Sequence, residues 1–155
     1  MSVQKVKKYL QKYGMESRLH EFPVSSATVD LAAEALGVEK ACIAKSISFK
    51  YDDGCVIIVT AGDTKIDNAK FKAEFNIKAK MLSPDEVEQL TGYKIGGVCP
   101  FENPDCAKVY CDISLKRFLN IFPAGGSSNS CVKLNCDELF KLSNSIKWVD
   151  VCKSM

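Results

Sequence analysis

Among the side chains able to do chemistry, Lys45 has the least ordinary setting. In Ile43-Ala-Lys-Ser-Ile-Ser-Phe49, strict alternation puts Lys45 on the face of Ile43, Ile47 and Phe49, with Ala44, Ser46, Ser48 and Lys50 opposite. A lone ammonium in an apolar row is costly to bury. It must pair with an acid, carry its charge to solvent along its stem, or line a cavity that takes an anionic or carbonyl ligand. Two Gly-Gly loops come next, Gly96-Gly97-Val98-Cys99-Pro100 and Ala124-Gly125-Gly126-Ser127-Ser128-Asn129. Consecutive glycines let main-chain N–H groups approach a phosphate or carbonyl oxygen, although neither loop has the P-loop or dinucleotide pattern and turn geometry explains both on spacing alone. His20 is the only histidine, so a histidine-rich metal hydrolase is excluded and any Ser-His-Asp or Cys-His site would have to be built around that one imidazole. Asp30, Asp63 and Asp67 are available acids, but Asp67 has a capping role and no carboxylate pair stands out. A hydrolase made from these parts would position its substrate and polarise a carbonyl with lysine and main-chain N–H groups, without an obvious protein nucleophile.

The chain has eight cysteines, and its start, Met1-Ser-Val-Gln-Lys5, carries no apolar run behind a basic tip, so a reducing, cytosolic setting is expected and disulfides are disfavoured. Cys106/Cys111 and Cys131/Cys136 are C-x4-C pairs at the loose end of zinc spacing. The segment from Cys106 to Cys111 reads as a strand, whose five steps separate its ends by roughly 16 Å with the sulfurs on opposite faces. No metal and no cofactor are therefore expected, and a thiol-redox or zinc protein is the weakest of the functional readings.

These residues need a frame. Val3, Val6, Leu10 and Tyr13 lie at helical spacing between a candidate cap at Ser2 and a stop at Gly14. Arg18 to Phe22 reads as a short strand ended by Pro23, and Thr28 to Leu36, closed by Gly37, as a helix. Ala41 to Tyr51 and Cys55 to Ala61 flank Asp52-Asp53-Gly54 and predict a hairpin. Asp67 caps a helix to Phe75 with Asn76 as stop, and Lys78 to Leu82 is strand-like. Ser83-Pro84-Asp85-Glu86 is a capping box opening a helix that Gly92 ends. Strands follow near Lys108 to Ile113, Leu119 to Phe122 and Cys131 to Leu134. A last helix is capped by Asn135 and Glu138, and Ile146 to Val151 closes the chain as a strand. Helices and strands mix without regular alternation, which predicts one mixed sheet with helices packed around it.

Composition bounds the answer. With 155 residues and 46% hydrophobic content, residues 1–155 are expected to form one domain. No apolar run approaches the ~20 residues needed to span a bilayer. Twenty-one basic against nineteen acidic residues leave +2, too near balance for a protein coating a long stretch of nucleic acid, so contact with nucleic acid should be local.

The ordered set Ala44-Lys45-Ser46, Thr60-Ala-Gly-Asp63 with Ile66-Asp67, Thr91-Gly-Tyr-Lys-Ile-Gly-Gly-Val-Cys-Pro100 and Phe122-Pro-Ala-Gly-Gly-Ser127 resembles the YbaK-type aminoacyl-tRNA deacylases, relatives of the editing domain of bacterial prolyl-tRNA synthetases. The resemblance implies an α/β, α+β-like fold: a compact body with a mixed, largely antiparallel, barrel-like sheet surrounded by helices. It implies hydrolysis of the ester joining a small wrong amino acid, of the cysteine, alanine or serine type, to a tRNA acceptor end, with tRNA(Pro) as the expected carrier and prolyl-tRNA synthetase as a candidate partner. Lys45 matches the family's essential lysine and would hold the terminal adenosine or its phosphate and the ester carbonyl. Phe22, Thr60, Asp63, Gly96, Gly97, Val98, Gly125, Gly126 and Ser127 are the substrate-binding positions the resemblance implies, the glycine loops serving as walls and oxyanion donors. The chain departs from the cysteine-specific members at two points. Cys131 stands where those members resemble Gly-Gly-x-x-x-x-Asp, and Phe22 stands near their tyrosine. These departures leave open which amino acid is removed. A non-catalytic module that binds aminoacyl-tRNA or a synthetase is the alternative.

Overall fold

The computed structural model describes residues 2–155. The expected hairpin is its spine: β2 (Ile43–Tyr51) and β3 (Gly54–Ala61) pair antiparallel over eight residue pairs, from Ala44↔Ala61 to Tyr51↔Gly54. The turn needs a left-handed residue, and Asp52 supplies it at φ 51°. β5 (Ala107–Asp112) runs parallel to β3, β6 (Phe122–Pro123) parallel to the start of β2, and β8 (Trp148–Val149) parallel to β5, giving a five-stranded sheet ordered β6-β2-β3-β5-β8. Two antiparallel pairs flank it: β1 (Leu19–Glu21) with β7 (Ser130–Val132), and β4 (Thr64–Ile66) with β9 (Cys152–Ser154). The mixed α/β class is as expected. The described strands form three sheets, and although antiparallel pairs predominate over all of them, three of the four ladders in the largest are parallel. Bridges Ala124↔Cys131 and Ile121↔Leu134 join the β1–β7 pair to the β6 edge.

Among the described residues five α-helices cover the sheet, and local signals set their ends. α1 (Ser2–Gln11) stops before Gly14, and the side chain of its expected cap Ser2 lies outside the described residues. α2 (Val29–Leu36) begins where Thr28 Oγ1 accepts from Leu31 N and ends at Gly37, φ 68°. α3 (Asn68–Phe75) is capped by the Asp67 carboxylate, which accepts from the amides of Ala69 and Lys70. α4 (Pro84–Thr91) and α5 (Cys136–Leu142) both open with complete capping boxes, Ser83 with Glu86 and Asn135 with Glu138. The expected strand at Lys78 to Leu82 reduces to one bridge, Met81↔Phe49. The closing strand expected over Ile146 to Val151 shortens to β8, and β9 lies beyond it.

Alternation divides the spine between two cores. Ala44, Ile57, Val59 and Ala61 face a cluster with Val6, Tyr9 and Leu10 of α1, Val87 of α4 and Leu139 of α5. Phe49, Val56 and Ile58 face the other way, onto Phe71 and Phe75 of α3 and onto Val149 and Val151. Burial of each such Ile or Phe contributes about 1.5–3 kcal/mol, so slipping the hairpin by one residue would exchange both sets and is strongly disfavoured. A third cluster, Ala32, Ala33, Ile43, Phe122 and Cys131, seats α2 against the β6 edge. Among the described residues no helix is long and apolar enough to cross a membrane.

Candidate active site

Along its outer edge β2 has a partner only at its two ends. β6 pairs with Ile43 and Ala44, and the Met81 bridge meets Phe49. A cavity of about 310 Å³ opens on the stretch between them, lined by residues 43–48 of β2, Ser26 to Val29 and Ala32 around α2, Met81, Leu82 and Val87 near α4, Ile95, Gly96 and Val98, and Phe122, Ala124 and Cys131. Its walls are mostly apolar. Met81 and Ile95, 66% and 62% exposed, stand at its rim.

Lys45 lines this cavity half-buried. Its Nζ donates to the main-chain carbonyl of Thr64, which uses one of the three ammonium donors. Burial holds its pKa below the ordinary lysine value; the Cys152 thiol and the Asp63 carboxylate act in the opposite sense. Behind it lies a bonded polar cluster. Thr60, its cross-strand partner and fully buried, has Oγ1 2.6 Å from Thr64 Oγ1, 3.2 Å from Ser114 Oγ and 3.1 Å from Cys152 Sγ. Ser114 Oγ accepts from Ala61 N at 3.1 Å, and the buried Asp112 carboxylate accepts from the amides of Ser114 and Val151, both at 2.9 Å. The cluster fixes β4 and β9, and thereby the carbonyl on which Lys45 rests.

The two glycine loops meet. A Cβ on Gly97 would lie 3.0 Å from both Gly126 O and Ser127 Cα, so the chains touch backbone to backbone. Gly96, at φ 92°, sits between Ala27 and Ser128. The second loop is tied to the segment before α2: Ser26 N donates to Ser128 O (2.6 Å), Phe22 N to Asn129 O (2.8 Å) and Asn129 Nδ2 to Phe22 O (2.8 Å). Within the loop, Ser127 Oγ lies 2.7 Å from Ser130 Oγ.

Of the positions singled out from sequence, Lys45, Gly96 and Val98 therefore line the cavity, whereas Gly97, Gly125, Gly126 and Ser127 stand one layer behind and shape its wall. Phe22 packs in the cluster beneath α2. Thr60 supports Lys45 from behind. Asp63 lies outside the lining and is held by Arg117, whose NH1 and NH2 donate to its two oxygens at 2.9 and 2.6 Å; the Arg117 guanidinium keeps its carboxyl below the usual range. Sequence reading passed over Ser46, whose Oγ is the buried side-chain polar atom without a hydrogen-bond partner among the described residues. Its signal was in plain view: a hydroxyl on the face that Ala44 turns to the core. Cys131 lies in the lining too. Burial pushes its thiol up to about 11, against a hydrogen bond with Ser26, so it is neutral at pH 7.

A model of the aminoacyl-tRNA editing domain matches residues 24–142. The chain belongs to that family. It is 49% identical over 154 residues to the uncharacterized protein YwhH of Bacillus subtilis, covering 99% of this chain and 98% of that one. It is 29% identical over 147 residues to the proline–tRNA ligase of Thermotoga maritima, covering 92% of this chain but 24% of the ligase. A crystal structure of a protein proposed as a trans-editing enzyme for prolyl tRNA synthetase superposes with a TM-score of 0.88 at 27% identity, covering 99% and 98% of the two chains. The cavity beside Lys45 lies wholly within the matched residues, from Ser26 to Cys131.

Proposed function

We propose that this editing domain is a hydrolase acting in trans on mischarged aminoacyl-tRNA in the cytosol, releasing a small amino acid from the acceptor end, with tRNA(Pro) as the expected carrier and prolyl-tRNA synthetase as the candidate partner. The observation that carries the reading is the half-buried Lys45 beside a walled, largely apolar cavity. In an apolar surround an ammonium attracts an anion or carbonyl oxygen far more strongly than in water. The two donors not used on Thr64 would hold the terminal nucleotide and the ester carbonyl. N–H groups of the Gly96 loop would face the oxygen where negative charge develops. Water adds to the carbonyl carbon, the bond from that carbon to the ribose oxygen breaks, and the ribose oxygen takes a proton. The net charge of +2 suits a protein that grips only the end of the tRNA.

The test is release of amino acid from tRNA charged with alanine, cysteine, serine or proline. Turnover of one or more small acyl groups, with proline spared, is expected. Binding of charged tRNA with no release from any of them would make the domain a non-catalytic recognition module.

A further inference from the structure

The part of β2 that opens on the cavity carries polar groups that nothing in the protein satisfies. Lys50 N donates outward to Lys80 O at 2.9 Å. In a strand the amide and carbonyl of one residue leave on the same side and the sides alternate, so Ser46 and Ser48 also present theirs outward. Among the described residues Ser46 has no main-chain partner there, because β6 stops at Ala44 and the antiparallel Met81↔Phe49 bridge, bonded through the flanking residues, takes in only Ser48 and Lys50. Ser46 Oγ is likewise buried and unpartnered. A buried hydroxyl left unpaired beside a cavity, in a protein otherwise well bonded, points to a ligand that pairs it.

Resting on the deacylase reading above, we propose that Ser46 selects the amino acid, and that the preferred acyl group bears a small side chain with a hydroxyl, as in serine or threonine. Every aminoacyl ester has an α-ammonium and a carbonyl. The strand edge offers carbonyls to the first and amides to the second, with Lys45 at hand. Those common groups are therefore served by main chain and lysine. Ser46 Oγ lies on the opposite face of β2 from Lys45, the face it shares with Val59 and Ala44, where Leu82 and Val87 wall the cavity. That is the side left for the substrate's side chain. Apart from Lys45 the cavity wall carries no charged group to take a charged substituent, Cys131 being a neutral thiol. A hydroxyl both gives and takes a hydrogen bond, which matches Ser46 Oγ. A methyl-only side chain leaves it unsatisfied.

The experiment compares wild type, Ser46→Ala and Ser46→Thr on tRNA carrying serine, threonine or alanine. Wild type should favour serine and threonine over alanine. Ser46→Ala should lower the ratio of serine to alanine turnover by about tenfold, the worth of one neutral hydrogen bond, and Ser46→Thr should restore much of it. Removing an unpaired hydroxyl should leave the melting temperature unchanged or raise it. Wild-type preference for alanine, or an equal fall on all three substrates in Ser46→Ala, would overturn the assignment while leaving the deacylase reading standing. No release from any of the three would overturn the assignment, and release from cysteinyl-tRNA alone would still leave the deacylase reading standing.

Discussion

Replacing Lys45 by Met keeps most of the stem that packs along β2 and removes the ammonium, so it separates charge from packing. The lost interaction is charge-assisted and lies in a half-buried site walled by apolar side chains. Deleting one donor aimed at a developing oxyanion in such a site costs about 10²–10³ in rate, or about 2.7–4 kcal/mol. Stability should move much less. The ammonium is held at a cost, as its lowered pKa records, with burial as the leading cause, while the variant forfeits the bond to Thr64 O. These contributions oppose each other, and a net change within about 1 kcal/mol is expected. Single-turnover deacylation of the best substrate, with urea unfolding of the same preparation, gives both numbers. A variant that hydrolyses at the wild-type rate while unfolding at the same denaturant concentration would refute the role given to this side chain. A variant that loses activity only because it unfolds would make Lys45 structural.

The same lysine sets a pH dependence. Its folded pKa lies below the unfolded value, so between the two the unfolded chain binds more protons, and this group's contribution to stability rises with pH through that window. Activity should run the other way, falling as pH rises through the folded pKa and the ammonium is lost; a rate flat to the ordinary lysine range would contradict this. Gly97→Ala would drive a Cβ against Gly126 O and Ser127 Cα. It should widen the contact between the loops and cut turnover at least tenfold, which kinetics beside a thermal melt would check. Ser83→Ala removes the hydroxyl that accepts from Glu86 N at the start of α4. It should cost about 1 kcal/mol in denaturant unfolding, with the amino-acid preference unchanged.

What could be read in advance divides along the range of the interaction responsible. Caps, glycine stops and the hairpin were legible because their causes lie within four residues: Ser83 with Glu86, Asn135 with Glu138, Asp52 in its turn. The face of Lys45 followed from a period of two and needed no partner. By contrast β4 and β9 pair residues about ninety apart, as in Thr64↔Ser154, and neither tripeptide has a pattern of its own. The partner of Asp63 was out of reach for the same reason, since the guanidinium that pairs with it comes from Arg117, on a helical turn (Ile113–Arg117) that follows β5. The open edge of β2 is a still less local property. It exists because β6 is two residues long and the Lys78 to Leu82 segment meets β2 only around Phe49 and Lys50, and sequence alone does not say where a neighbouring strand stops. The polar serines beside Lys45 were nonetheless in the open. On a strand whose alternate residues build two cores, a hydroxyl on a core face needs a partner, and where the fold supplies none the substrate becomes the partner. Applied to Ser46, that rule converts a gap in strand pairing into a statement about which amino acid the site accepts.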